Sequence, residues 1–286
     1  MKKLHIGDKV ALVANSNGLY KENAEKVERL TAVLTDMGLD VQKSKYIYAE
    51  NSIFNGTGKE RASELMSFFE DNSIKAVFDI SGGDVANQVI GYLDFEKIKN
   101  NKKMFFGYSD LTVILNSLYS QCGLETYLYQ IRNLVSDNAE KQIAEFKKTF
   151  MNDEETLLDF DYKWLKGKSM HGVVVGGNIR CFLKLAGTKY MPDFTDKILF
   201  IESLGGDVAK MATFLAQYKM MGVFDKIKGI ILGTYTEMQR KEYRPSIEEL
   251  VLEAIGERNI PIAKTEMIGH GTDSKCIVIG RDIKLE

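Results

Sequence analysis

Three residues of types that could act together in hydrolysis each follow, or lie close to, a short apolar segment of this 286-residue chain. Ser109 comes two positions after Gly107, where one apolar segment ends. Glu202 directly follows the apolar segment 197–201, and His270 lies between two glycines near the end of the sequence. A serine nucleophile needs a base to accept its proton and an acid to orient that base. The three residue types therefore indicate acyl-transfer chemistry.

The sequence around Ser109 predicts a sharp turn from a strand into a helix. Apolar residues recur at helical spacing after it, at Leu111, Ile114, Leu115, Leu118 and Tyr119. A serine on such a turn exposes its hydroxyl, and the amide groups at the helix start can stabilise an oxyanion. The alternative is that Ser109 and Asp110 only cap a helix after an ordinary strand. This segment alone leaves both interpretations open.

Glu202 and His270 also have simpler interpretations when each is considered alone. Glu202 could be a solvated carboxylate at a strand end, and His270 could be an ordinary turn histidine. The glycines around His270 let the backbone approach other groups closely and leave the imidazole accessible. The joint pattern of serine, glutamate and histidine beside glycines and strand ends favours a shared site.

Four motifs occur in a characteristic order: GYSDLT at 107–112, GGNI at 176–179, ILFIE at 198–202 and GHG at 269–271. In this order they resemble the LD-carboxypeptidase family of serine peptidases, which also contains the microcin-immunity proteins. The segment 81–88 resembles the immunity branch more than the murein-recycling branch, and the resemblance extends from Gly7 to the last residues.

This resemblance implies roles for five residues. Ser109 would be the nucleophile, His270 the general base, and Glu202 the residue that orients the histidine. The backbone N–H groups of Gly83 and Asp110 would form the oxyanion hole. The resemblance also implies a homodimer, and a site in the cleft between an N-terminal domain with the serine and a C-terminal domain with the other two.

Three departures from the family pattern bear on the substrate. Ser81 stands where murein-recycling members usually have an arginine, and 127–130 reads Tyr-Leu-Tyr-Gln where they usually show His-Gly-Pro. Ser203 follows Glu202 where a second acidic residue is common. A guanidinium that could bind a substrate carboxylate is thus missing from its expected place.

The missing arginine favours an amide in a peptidyl or aminoacyl-nucleotide compound of the microcin type as the substrate. The nucleobase of such a compound could stack on Trp164, the only tryptophan, although Trp164 could also be a linker anchor. The alternatives are a carboxypeptidase acting on murein tetrapeptide and a catalytically idle binding protein on the same scaffold. A nucleotide-binding α/β enzyme is a further alternative.

Alternating strands and helices predict an α/β fold with a parallel-sheet, Rossmann-like N-terminal domain and a smaller C-terminal α/β domain. We assign 1–135 to the first domain, 136–170 to a linker, and 171–286 to the second domain. Strands are expected at 9–14, 75–80 and 104–106 in the first domain, and at 172–175, 198–201, 227–232 and 276–279 in the second.

Composition and residue spacing restrict the classes of partner that this protein could bind. A formal net charge of −2 provides no electrostatic footprint for nucleic acid, and no apolar run is long enough to cross a membrane. The three cysteines are scattered, so we expect buried thiols in a cytoplasmic protein. The histidines lack metal-ligand spacing, and the segment 55–60 imitates a phosphate loop without its first glycine or its Ser/Thr. We therefore expect no metal and no cofactor.

Overall fold

Two six-stranded sheets with helices packed on their faces form the part of the chain that the structure, a computed structural model, describes: residues 3–286. In the first sheet the strand order is β11-β5-β4-β3-β1-β2, and five of the six strands are parallel. Its strands are β1 (Lys9–Val13), β2 (Asp40–Lys43), β3 (Ile74–Asp79), β4 (Met104–Gly107), β5 (Thr126–Leu128) and β11 (Ile277–Ile279).

The second sheet has a parallel centre and antiparallel edges. Its order is β12-β7-β8-β9-β10-β6, with β6 and β12 running antiparallel to their neighbours. Its strands are β6 (Lys163–Lys166), β7 (Met170–Asn178), β8 (Lys197–Ser203), β9 (Gly229–Tyr235), β10 (Ile262–Lys264) and β12 (Asp282–Leu285). The predicted two-domain α/β fold is confirmed.

Ten α-helices cover the sheets within residues 3–286, and short 3₁₀ turns lie between several of the elements. None of these helices is long and apolar enough to span a membrane. The helices are α1 (Ala24–Asp36), α2 (Gly58–Glu70), α3 (Asn87–Ile90), α4 (Phe95–Asn100), α5 (Thr112–Cys122), α6 (Ala139–Met151), α7 (Ile179–Phe182), α8 (Val208–Met220), α9 (Thr236–Arg240) and α10 (Ile247–Ile255).

The segment that imitates a phosphate loop is the start of helix α2. Thr57 caps this helix by accepting a hydrogen bond from the amide of Glu60, and the Glu60 carboxylate accepts one from the Thr57 amide. This reciprocal pair is a capping box, which satisfies amide groups that the first helical turn leaves without partners. The Thr-Gly-Lys-Glu pattern is thus explained by local helix geometry.

Strand β11 corrects one expectation. Residues 276–279 do form a strand at Ile277–Ile279, but this strand pairs antiparallel with β5 of the first sheet and does not join the second sheet. The chain therefore returns to the first sheet after building most of the second, and then ends in β12 of the second. A short apolar run predicts a strand, whereas its choice of sheet depends on distant partners.

The segment 136–170, assigned to a linker from the sequence, contains two elements that belong to different layers. Helix α6 packs against the first sheet through Phe146 and Phe150, which lie in that sheet's outer core. Strand β6 pairs with β10 at the edge of the second sheet. The actual crossover between the two sheets is therefore shorter than the predicted linker.

Helix α5 lies between the two sheets and joins them. All residues from 111 to 118 are buried, including the polar Thr112, Asn116 and Ser117, so the predicted helix is enclosed on all sides over its first two turns. The amide side chain of Asn116 donates to the Gly176 carbonyl at 2.7 Å and accepts from the Gly176 amide at 3.0 Å. The Thr112 hydroxyl oxygen accepts from the Asn178 amide at 2.9 Å. These bonds attach strand β7 directly to the helix that follows Ser109.

The glycines of β7 permit this close approach. A Cβ atom at Gly177, where φ is +140°, would lie 2.5 Å from Thr112 Oγ1 and 2.7 Å from Leu128 Cδ1. We therefore expect Gly177→Ala to lower the free energy of unfolding by about 1–3 kcal/mol, as overpacked interiors do. Gly91→Ala is the control, because Gly91 has an ordinary φ of −69° and no atom within 4 Å of the added carbon. Chemical denaturation measures both, and equal midpoints for the two variants would contradict this account.

Candidate active site

Ser109 occupies a strained turn between strand β4 and helix α5. Its φ of +53° lies in the left-handed region, which is uncommon for a residue with a side chain and recurs at functional sites. A Cβ atom at Gly107 would lie 2.7 Å from Leu111 Cβ, so the helix can fold back onto the strand only with glycine at that position. The predicted sharp turn at Ser109 is therefore present.

Glu202 and His270 are joined by a hydrogen bond. Glu202 lies near the end of β8 and is 1% exposed. One carboxylate oxygen is 2.6 Å from Nδ1 of His270, and the other accepts from the Asn178 side-chain amide at 3.3 Å. A carboxylate that accepts from Nδ1–H places the remaining lone pair of a neutral imidazole on Nε2. The contact with Glu202 therefore favours the tautomer of His270 that carries its proton on Nδ1.

Contacts around His270 explain why glycine precedes it at position 269 and why its pKa is raised. A Cβ atom at Gly269 would lie 1.8 Å from Thr234 Oγ1, so the segment can pass strand β9 at this distance only with glycine. Burial of the imidazole opposes its charged form, but the negative charge and hydrogen bond of Glu202 outweigh that effect. The net result is a His270 pKa raised above its usual 6.5.

A cavity of about 330 Å³ brings the nucleophile candidate and the base candidate together. Ser109, His270 and Gly83 all line it. Within residues 3–286, Nε2 of His270 is buried and has no hydrogen-bond partner. The two side chains thus share the cavity without a direct hydrogen bond, and catalytic hydrogen bonds often tighten only when substrate binds.

The loop that carries Gly83 is held against the start of helix α5. At Gly83, φ is +127° and a Cβ atom would lie 2.2 Å from Asn17 Cγ. The buried carboxylate of Asp110 accepts hydrogen bonds from the Ser16 hydroxyl at 2.6 Å and from the Ala86 amide at 2.9 Å. Lys184 of the second domain forms an ion pair with the same carboxylate. Asp110 thus connects its own backbone position to the Gly83 loop, which is what a preorganised oxyanion site needs.

Ser81 does not replace an arginine chemically. Its hydroxyl donates to the buried Asp79 carboxylate at 2.5 Å and accepts from the Ser16 amide at 2.9 Å. Both bonds stabilise the adjoining loops. The Ser81 hydroxyl is therefore already occupied by the protein.

Trp164 lies away from the other predicted site residues. It sits on β6, half-buried, where it is opposite Ala263 and packs edge-on against Tyr162 with ring centres 5.6 Å apart. The structure does not place Trp164 in the lining of the cavity that contains Ser109. Its role as a substrate contact stays a prediction.

Sequence reasoning missed three residues of the site. Asn178 lies in the GGNI motif, which predicts no role for it, and its side-chain amide donates to Glu202. Tyr108 and Arg132 also line the cavity, and an Arg132 Nη2–H donates to the Tyr108 hydroxyl at 2.6 Å. The only available signal was that Tyr108 precedes the serine and that Arg132 follows the expected His-Gly-Pro position.

The remaining histidines and cysteines lie elsewhere. His5 and His171 are exposed, and His171 pairs with Asp282 at 2.8 Å. The three cysteines, Cys122, Cys181 and Cys276, are buried, as predicted. Burial raises the thiol pKa of Cys122 to about 11 and that of Cys181 to about 12. Groups this difficult to ionise are poor nucleophiles, so the structure provides no cysteine alternative to Ser109 among these three.

The fold and this cavity define a two-domain α/β enzyme of the serine-peptidase type. Residues 10–129 match the model of the LD-carboxypeptidase N-terminal domain, and residues 171–285 match that of the LD-carboxypeptidase C-terminal domain. The chain belongs to the LD-carboxypeptidase family, and it is a serine-type, carboxypeptidase-like enzyme. The family resemblance predicted from the ordered motifs is thereby confirmed.

Known relatives cover nearly the whole chain. A putative carboxypeptidase of Vibrio cholerae is 25% identical, with 91% of this chain and 87% of the relative aligned. The probable murein peptide carboxypeptidase of Bacillus subtilis is also 25% identical, with 98% and 89% aligned. The solved structure of the immunity protein MccF with glutamyl sulfamoyl guanosine superposes with a TM-score of 0.87 at 21% identity, covering 99% of this chain and 94% of that one. This last likeness shows a common fold.

Proposed function

We propose that this enzyme hydrolyses an amide bond through an acyl-enzyme, with Ser109 as nucleophile, His270 as general base and Glu202 as the residue that orients the base. The observation that carries the proposal is the 2.6 Å hydrogen bond from Nδ1 of His270 to Glu202. It leaves Nε2 as the basic nitrogen of an imidazole that lines the same cavity as Ser109.

The proposed reaction has two halves. The Ser109 hydroxyl oxygen attacks the substrate carbonyl carbon while His270 Nε2 accepts its proton. The oxyanion is held by the amides of Gly83 and Asp110, and such donors contribute about 3 kcal/mol each to the transition state. The amine then leaves with the proton from His270, and water activated by the same histidine hydrolyses the ester.

The first candidate substrate is an aminoacyl-nucleotide or peptidyl-nucleotide compound of the microcin type. Support comes from Ser81, whose hydroxyl is occupied by Asp79 and so offers nothing to a terminal carboxylate. The superposable MccF structure holds a glutamyl sulfamoyl nucleoside, which is a compound of this class. The second candidate is a murein tetrapeptide, which is favoured by the guanidinium of Arg132 in the cavity and by the name of the Bacillus subtilis relative.

Two measurements test this proposal. A fluorophosphonate probe should label Ser109, because an activated serine reacts with it and an idle binding protein does not. A screen of purified enzyme should then show a higher kcat/KM for an aminoacyl-sulfamoyl adenosine than for a murein tetrapeptide. Absence of labelling and turnover would favour the binding protein. Equal or better kcat/KM on the tetrapeptide would instead make murein recycling the function.

A further inference from the structure

Arg132 places a guanidinium group beside the candidate nucleophile and base. It lies in the 3₁₀ turn Ile131–Val135, which comes shortly after β5, and it lines the same cavity as Ser109 and His270. Its guanidinium carbon is 5.8 Å from the centre of the Tyr108 ring, and that ring centre is 5.5 Å from the centre of the His270 ring. Tyr108 therefore links the guanidinium both to the serine turn and to the histidine.

The positive charge of Arg132 lacks a protein counter-charge. No Asp or Glu carboxylate oxygen within residues 3–286 lies within 4 Å of its guanidinium nitrogens, and its buried Nε has no hydrogen-bond partner there. By contrast, Arg180 pairs with Asp84, Arg258 with Asp225, and Arg281 with Glu125. A partly desolvated cation without a partner is costly unless a ligand supplies the opposite charge.

A carboxylate is the ligand group that fits this cation. The planar guanidinium can donate two parallel N–H bonds to the two carboxylate oxygens, and here Nη2 is oriented by Tyr108. We infer that Arg132 is a specificity-determining residue that binds a carboxylate of the substrate in the cavity beside Ser109. The inference rests on the proposed function for the identity of that ligand as a substrate. Arg132 thus supplies the cavity, from a different position in the chain, with a guanidinium group that Ser81 cannot supply.

Two kinds of substrate could supply the carboxylate. One is a peptide with a free C-terminus, and the other is an aminoacyl nucleoside with an acidic side chain. Each charged substrate has a matched neutral analogue. For the peptide it is the C-terminal amide of the same peptide, and for aspartyl-sulfamoyl adenosine it is the asparaginyl counterpart. The dissociation constants of the two pairs can be measured by calorimetry in a Ser109→Ala background, where binding does not depend on turnover.

We expect the Ser109→Ala protein to bind the charged member of one pair about 10- to 100-fold more tightly than the neutral member, which is the range for a hydrogen-bonded ion pair. Adding Arg132→Gln should reduce that ratio to about one, and Arg132→Lys should leave an intermediate ratio because the charge remains without the planar fork. Arg29→Gln is the control: it removes an exposed arginine of α1 and should leave the ratio unchanged.

The pair that shows the preference identifies the source of the carboxylate. If neither pair shows one, or if the preference survives in both Arg132 variants, the inference is overturned. Fluorophosphonate labelling of the protein with Ser109 intact is scored separately. A labelled enzyme whose Ser109→Ala form has no charge preference refutes only the role of Arg132, whereas an unlabelled protein that binds the charged ligand through Arg132 refutes only the proposed chemistry.

Discussion

Ser109→Ala is expected to lower kcat by about 10⁶ while leaving thermal stability nearly unchanged. The loss is large because the proposed mechanism has no other route to the acyl-enzyme once the hydroxyl is removed. Stability is retained because alanine can keep the same left-handed turn at similar cost, and no hydrogen bond from the Ser109 side chain to another of residues 3–286 is lost. Steady-state kinetics and a thermal melt measure the two effects.

Ser67→Ala is a suitable control for that experiment. Ser67 lies on the exposed face of helix α2, and its hydroxyl donates to the Glu64 carbonyl of the same helix. We expect full activity from this variant. If Ser109→Ala kept more than about a hundredth of the wild-type kcat, Ser109 would not be the nucleophile.

The second large effect is expected at His270. In the wild type, kcat/KM should rise with pH through an apparent pKa above 6.5, because Glu202 raises the pKa of His270 and only the neutral imidazole can accept a proton. Below that pKa the histidine is charged and the rate falls, and above it the rate levels off. His270→Gln should remove this limb of the profile and most of the activity. A flat wild-type profile from pH 5 to 8 would contradict the mechanism.

Glu202→Gln separates orientation from proton transfer. Glutamine keeps the shape of the side chain but has no charge, and its amide can turn a donor toward Nδ1, which favours the wrong tautomer. A loss of about 10⁴ in kcat is typical of such a change in a serine triad. The pKa of His270 should also fall, since the negative charge that raises it is gone. His171→Gln, at an exposed histidine paired with Asp282, is the control and should alter neither property.

The sequence by itself determined the types of most elements and the three candidate residues of the triad. Strands such as β1 and β8 are encoded by short runs of buried apolar residues, and that signal is local. Ser109 and Glu202 could be found because each comes at or just beyond the end of such a run. In parallel sheets the carboxyl ends of the strands gather at one edge, so polar residues there tend to meet. His270 was found through its two glycines, one of which has a steric reason at Thr234.

The tertiary structure alone decided which distant segments meet. The run at 277–279 reads as a strand in any sheet, and only pairing with β5 assigns it to the first. Asp110 reads as a helix cap, yet its carboxylate is buried beneath Lys184 and holds the Gly83 loop. The apolar spacing after Ser109 could not tell an amphipathic helix from one enclosed between two sheets.

Arg132 shows the limit of local patterns most clearly. Its place after the expected His-Gly-Pro position is the one weak signal in the sequence, and the arginine expected at position 81 is absent. The turn after β5 nevertheless brings its guanidinium to the cavity, where Tyr108 orients it. A charge at a site can be supplied from any segment that reaches it, because only its final position and its desolvation determine what it binds. The spacing of residues in the sequence indicates neither the final position of a charge nor its desolvation, whereas the packing of the two domains determines both.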